Sequence, residues 1–180
     1  MHASVCDTIS DLVQNSIEAG ASRVELDVAT GPDAITVRVR DNGKGMDKTT
    51  LEKVMDPFYS ESGKHDHRRV GLGLPLLHQT AEAVNGKVDI RSVPGNGTTV
   101  EFTFDARHLD TPPLGDLPAT VLGLMAFGGT YDLVLNRTTP ADGYSVSRRE
   151  LTETLGDLEE SANLVLARDF LRSQEENLNH

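Results

Sequence analysis

Apolar residues along the chain recur at two spacings. Over residues 4–19, Val5, Ile9, Leu12, Val13 and Ile17 fall on one side of a helical wheel, with Asp7, Asp11, Asn15 and Glu18 opposite. Gly20 follows as the helix stop. The period then changes to two. Val24, Leu26 and Val28 alternate with Arg23, Glu25 and Asp27, Gly31-Pro32-Asp33 turns the chain, and Ile35, Val37 and Val39 alternate with Thr36, Arg38 and Arg40. This predicts an antiparallel hairpin with one buried face. A helix is predicted from Pro75, with Leu76, Leu77, Ala81 and Val84 apolar and Gly86 ending it. A second hairpin runs through Val88 and Ile90, turns at Pro94–Gly97, and returns through Val100, Phe102 and Phe104. Beyond Leu109-Asp110-Thr111-Pro112-Pro113 the pattern predicts an apolar helix over 116–126. A hairpin follows, around Tyr131, Leu133 and Leu135 and then Tyr144 and Val146. Ser147–Glu150 forms a capping box before a short helix ended by Gly156, and a last helix over 158–176 has its apolar face around Leu158, Ala162, Val165 and Leu166.

Charge divides the chain at the same joint. The net charge of −11 splits into −4 over residues 1–104 and −7 over 105–180, with no lysine after Lys87. The expected organisation is an N-terminal module, 1–106, with a C-terminal extension, 107–180, packed on it. An acidic surface repels nucleic acid and anionic membranes unless a local basic patch overrides it. No apolar run reaches the about 20 residues that span a bilayer, and the N-terminus lacks the order of a signal peptide. The one cysteine, Cys6, has no internal partner, which fits a reducing cytosol. A cytoplasmic protein is expected, with no nucleic acid and no membrane among its partners.

Candidate chemistry sits at the ends of the first elements. Asn15 lies one helical turn from Asp11, a pair suited to a cation or a water, or simply a solvated acidic face. Asp41 shares the inward parity of Ile35, Val37 and Val39, and a carboxylate closing a buried face needs a partner, such as a purine amino group. Gly43 and Gly45 follow, with Met46, as a loop or as a place of close backbone approach to a ligand. Residues 56–70 are a polar stretch whose second half holds Lys64, His65, His67, Arg68 and Arg69, a basic cluster fit to close over phosphates or to stay solvated. Gly71-Leu72-Gly73-Leu74 opens the next helix, where bare amides and the helix dipole can cradle an anion. Thr98 shares the inward parity of Val100 and is placed to meet a ligand or Asp41, or to close a turn.

In this order the motifs resemble those of the GHKL ATPase superfamily, which includes sensor histidine kinases, DNA gyrase, MutL and the ninety-kilodalton heat-shock chaperones. The likeness covers about residues 4–104. It implies a two-layer α/β (α+β) sandwich of the Bergerat type: a mixed, mostly antiparallel sheet with helices on one face. It also implies ATP and Mg2+ as ligands. Asn15 matches the magnesium-binding asparagine and Asp41 the adenine-reading aspartate. Gly43, Gly45 and Met46 shape the adenine pocket, and Phe58 belongs to the lid motif, whose Lys64 and Arg69 face the phosphates. Gly71, Leu72, Gly73 and Leu74 form the phosphate loop, and Thr98 supports the aspartate. Asp11 stands where hydrolysing MutL-like members place a general-base glutamate, one methylene shorter, so it is the catalytic candidate. The first motif is similar to MutL, whereas Asp56-Pro57-Phe58-Tyr59 and Gly71-Leu72-Gly73-Leu74 are similar to histidine kinases. Kinases also carry a helix with a phosphoaccepting histidine; none is read ahead of residue 4.

Three functions follow as expectations. The first is a Mg-ATP-binding, histidine-kinase-like protein acting on a protein partner by phosphotransfer or ATP-gated binding. The second is a non-enzymatic regulatory subunit, as a homodimer or within a larger complex, and the third a slow MutL-like ATPase using Asp11.

Overall fold

The first helix begins where a serine and an aspartate satisfy each other. The Ser4 hydroxyl accepts from the Asp7 N–H, and the Asp7 carboxylate accepts from the Ser4 N–H at 2.8 Å, closing a capping box before α1 (Val5–Glu18). Gly20, just past the helix end, takes a φ of +76°. The computed structural model describes residues 3–55 and 73–178. Strands β1 (Arg23–Thr30) and β2 (Ala34–Asp41) form the predicted hairpin, with Leu26 opposite Val39 and Val28 opposite Val37. A short helix, α2 (Lys48–Val54), starts on Asp47, whose carboxylate accepts from the Thr50 N–H. It buries no residue, so no apolar period announces it. Then come α3 (Gly73–Ala83) and the second hairpin, β3 (Lys87–Val93) with β4 (Gly97–Asp105). Asn85, not Gly86, takes the left-handed conformation after α3, at φ +55°, since asparagine tolerates that region best among residues with a Cβ.

Residues beyond 106 add α4 (Leu117–Met125), β5 (Asp132–Thr138), β6 (Gly143–Ser147), α5 (Arg148–Leu155) and α6 (Ser161–Leu178). Their strands join the same sheet, whose order is β3-β4-β2-β1-β5-β6. Among the described residues only β1 and β5 run parallel; the other pairs are antiparallel. Alternation gives the sheet two unlike faces. Val24, Leu26, Val28, Val37, Val39, Phe102, Phe104, Leu133 and Leu135 are buried in one core with helix residues such as Val5, Ile9, Leu77 and Val121. The other face is a ladder of charge in which Arg38 pairs with Asp27 at 2.8 Å and Arg23 with Glu25 at 3.0 Å. The result is the two-layer α/β sandwich with a mixed, mostly antiparallel sheet.

One expectation about the extension is corrected. The last helix forms, but its buried stripe runs through Ala167 and Leu171, while Val165 and Leu166 are 44% and 55% exposed. Glu175, one turn past Leu171, is held by the buried Arg137 of β5 at 3.1 Å and by the Tyr144 hydroxyl of β6 at 2.8 Å. Ala167, Leu171 and Glu175 thus lie along the inward line of α6.

Candidate functional site

Asp41 closes β2 opposite Val24, and its inward parity puts its carboxylate inside the protein, 8% exposed. Oδ1 accepts from the Gly43 N–H at 2.8 Å and from the Thr98 N–H at 3.2 Å. Oδ2 lies 2.8 Å from the Ser16 hydroxyl of α1, which is also 3.2 Å from the Leu12 carbonyl. A carboxylate offers about four lone-pair sites, so three protein donors fix its orientation and leave one position for a ligand. Thr98 therefore reaches Asp41 through its backbone. Its hydroxyl is 2.8 Å from Ser92 Oγ, which accepts from the Met46 N–H at 2.8 Å.

Two glycines permit this packing. Gly97 has φ +93°, and a Cβ on it would overlap the Asp41 carbonyl oxygen. Gly45 has φ +63°, and a Cβ there would overlap the Val93 carbonyl oxygen. The turn carrying Gly43 is tied to the end of α1 by a 3.0 Å bond from the Lys44 N–H to the Ala19 carbonyl.

Helix α1 carries a second group of candidates. Asp11 is half-buried and Asn15, one turn later, is exposed. Gly73 opens α3 beside them: a Cβ on it would stand 3.5 Å from the Asp11 Cβ and 3.7 Å from its Oδ2. Leu74 packs against the core. The structure thus groups Asp41, Gly43, Gly45, Met46 and Thr98 at one end of the sheet. It sets Gly73 against Asp11 on the helix that also carries Asn15 and Ser16. Phe58, Lys64, Arg69, Gly71 and Leu72 lie outside the described residues.

Ser16 and Ser92 are the two members of this network that sequence reasoning missed. Ser16 has a readable signal: it falls on the buried side of α1, four residues after Leu12, where a hydroxyl must find an acceptor. Among the described residues no group of three or more His, Cys, Asp or Glu side chains comes together as a metal cage. No described helix is long and apolar enough to cross a membrane.

A family profile described as histidine kinase-, DNA gyrase B-, and HSP90-like ATPase matches residues 3–108. The chain is 37% identical over 100 residues to the sensor histidine kinase YxdK of Bacillus subtilis, covering 53% of this chain and 31% of that protein. It is 31% identical over 106 residues to the signal transduction histidine-protein kinase AfsQ2 of Streptomyces coelicolor, covering 58% and 19%. The chain spans less than a third of the length of these relatives. Among solved structures, the N-terminal domain of a DNA repair protein superposes with a TM-score of 0.55 at 15% identity, over 87% of this chain and 58% of that one. That likeness is one of fold, and it extends beyond the 3–108 segment into the strands and helices that follow.

Proposed function

This chain belongs to the histidine kinase-, DNA gyrase B-, and HSP90-like ATPase family, and from that premise we propose that it binds Mg-ATP and uses it to act on, or to gate, a protein partner. ATP binding goes with the family and with the likeness to sensor histidine kinases. The observation that carries the reading is the buried Asp41 carboxylate, aligned by Ser16, Gly43 and Thr98 beside glycines whose missing Cβ atoms keep the backbone close. Such a carboxylate accepts from the exocyclic amine of adenine. Guanine presents a carbonyl there, and two acceptors repel. One unpaired buried polar group costs about 1–3 kcal/mol.

Asn15 would hold Mg2+ through its neutral amide oxygen, a donor suited to a hard cation, and the ion would supply neutralisation of phosphate charge. Gly73, at the start of α3, and the basic stretch with Lys64 and Arg69 serve the phosphates, with Phe58, Gly71 and Leu72. Residues 1–106 form the ATP-binding part and 107–180 an extension that meets the partner, in a cytoplasmic protein working as a homodimer or as a subunit. A second reading, slow hydrolysis, is favoured by the approach of Gly73 to Asp11, which sets a carboxylate at the phosphate side. An aspartate falls short of a glutamate by about one C–C bond, and a misplacement near 1 Å costs roughly 100-fold.

Calorimetry with ATP and GTP, with and without magnesium, tests the proposal. ATP is to bind in preference to GTP, Asp41→Asn is to lose ATP affinity, and Asn15→Ala is to weaken Mg-ATP far more than metal-free ATP. Equal affinity for GTP, or equal losses with and without magnesium, removes the corresponding role. Turnover by wild type that Asp11→Asn abolishes while sparing binding selects the hydrolytic reading.

A further inference from the structure

A shallow, open cleft of about 590 Å3 lies beside the Asp41–Gly43 turn. Its walls come from both parts of the chain: Arg23 and Asn42 from the family segment, and Asp132, Arg148, Arg149 and Thr152 from the extension. Arg148 is held rigidly. Its Nε donates to the Met125 carbonyl at 2.7 Å and its Nη1 to the Tyr131 carbonyl at 2.9 Å, with the guanidinium carbon 4.8 Å from the centre of the Tyr131 ring. Asp132 does not neutralise it. That carboxylate accepts from the Arg149 N–H at 3.0 Å and pairs with Arg23 at 3.6 Å and Arg149 at 4.0 Å. Arg149 keeps two-thirds of its side chain exposed, 67%. With Glu25, which pairs with Arg23 at 3.0 Å, three guanidinium groups meet three carboxylates, and Arg148 is the one of the three without a carboxylate partner among the described residues.

We propose that this cleft takes a carboxylate-bearing segment of a partner protein, gripped by Arg148 and Arg149, and that its docking is felt at the adenine-side loop through Asn42. Guanidinium forks match carboxylates, and a fixed guanidinium loses little freedom on binding. Phosphate is the poorer fit. The first turn of α5 is already capped by Ser147 and Glu150, and the Arg149 N–H is taken by Asp132, so the bare amides of a phosphate cradle are absent. The acidic surface elsewhere is screened beyond about 8 Å at physiological salt, which leaves the local cluster to decide.

Asn42 supplies the connection. Its Oδ1 accepts from the Ser22 and Arg23 N–H groups, each at 3.0 Å, and its Nδ2 donates to the Ser22 hydroxyl at 2.9 Å. It sits between Asp41 and Gly43, whose N–H holds the Asp41 carboxylate. A carboxylate that draws Arg149 from Asp132, which also pairs with Arg23 at 3.6 Å, therefore acts on the strand start to which the adenine-side turn is fastened. This coupling rests on the ATP reading; binding in the cleft does not.

The test titrates the full chain with an end-blocked tetrapeptide, Gly-Glu-Glu-Gly, and with its glutamine counterpart, by NMR and calorimetry. The glutamate peptide is to shift the amides of Ser22, Asn42 and Thr152 saturably and to bind at least tenfold more tightly than the glutamine peptide. Arg149→Glu, at an exposed position, is to weaken it at least tenfold with the unbound amide spectrum still dispersed, and Arg148→Gln is to do the same. Saturating peptide is to change ATP affinity at least threefold, and Asn42→Ala is to remove that change. No saturable shift, unchanged binding in Arg149→Glu, or inorganic phosphate binding as tightly as the peptide overturns the site. Peptide binding with unchanged ATP affinity overturns the coupling. Peptide binding in a protein that takes up no ATP overturns the nucleotide reading and the coupling that rests on it, and leaves the cleft standing.

Discussion

Both oxygens of Asp41 are engaged before any ligand arrives, and the Oδ2 partner comes from a different element, 25 residues away in sequence. The Ser16 hydroxyl is nearer to Asp41, at 2.8 Å, than to the Leu12 carbonyl, at 3.2 Å. A hydrogen bond to a charged group is the stronger of the two. Ser16→Ala therefore leaves a buried carboxylate oxygen without its donor, at a cost of about 1–3 kcal/mol. The expected result is a lower urea midpoint with unchanged slope, together with weaker ATP binding because the carboxylate is no longer aligned. An unchanged midpoint would mean that the hydroxyl proton serves Leu12 instead. Asp41 itself was legible from strand parity alone, since a carboxylate in phase with Ile35, Val37 and Val39 has to be accounted for. The place of Ser16 on the buried side of α1 was readable but its carboxylate partner was not, and Ser92 was not readable at all. A serine on a helix or strand reads as a neutral polar position until the fold brings its acceptor to it, and nothing local in the sequence marks that meeting.

At the scale of elements, α6 is joined to the sheet by Arg137, Glu175 and Tyr144. The side chains of Arg137 and Glu175 are 5% and 16% exposed, and Arg137 also donates to the Thr138 carbonyl at 2.7 Å. Removing one partner of a buried pair strands the other charge, at a cost of about 3–5 kcal/mol, whereas replacing both by apolar residues is often neutral or better. Glu175→Ala is thus expected to destabilise strongly, and Arg137→Met combined with Glu175→Leu to restore most of the loss, both read from urea unfolding. The same cluster sets an alkaline limit. Burial first, and then the Glu175 carboxylate that accepts its proton, hold the Tyr144 phenol well above its ordinary range, and burial raises Tyr131 too. The folded chain keeps these protons, while the unfolded chain releases them near pH 10. The stabilisation is complete below about pH 10 and is lost as pH climbs beyond it. Urea midpoints are expected to fall most steeply above about pH 10, less so in Tyr144→Phe; a flat profile between about pH 10 and 11 would show phenols that ionise equally in both states. The period of α6 was readable in the sequence, but its rotation was not. Val165 and Leu166 look like core residues beside Ala162, yet the helix buries Ala167 and Leu171 and sets Glu175 against Arg137 of β5.

Across the whole molecule, the family likeness ends at residue 108 while the sheet does not. Strand β1 has β2 on one side and β5 on the other, in register from Arg23 with Asp132 to Ala29 with Thr138. Helix α1, which carries Asp11, Asn15 and Ser16, depends on the later residues as well. Its first N–H groups, on Val5 and Cys6, donate to the Pro113 and Leu114 carbonyls at 2.9 Å each. Leu117, Val121, Leu133, Leu135 and Leu171 belong to the same core as Val5, Ile9 and Val24. The joint at Pro112-Pro113 therefore separates two compositions and, as proposed, two roles, without separating two cores. Ending the chain at 108 turns β1 into an edge strand with unpaired backbone groups and leaves the start of α1 without its acceptors. It also exposes core side chains that contribute about 1.5–3 kcal/mol each when buried, against a total stability of only about 5–15 kcal/mol for a domain. The 3–108 fragment is expected to show a collapsed, poorly dispersed NMR spectrum and no saturable ATP binding. Addition of a 109–180 fragment is expected to restore both in part, because the two pieces complete one sheet. A dispersed spectrum and full ATP affinity from 3–108 alone would show that the extension is an appendage to a self-sufficient nucleotide domain.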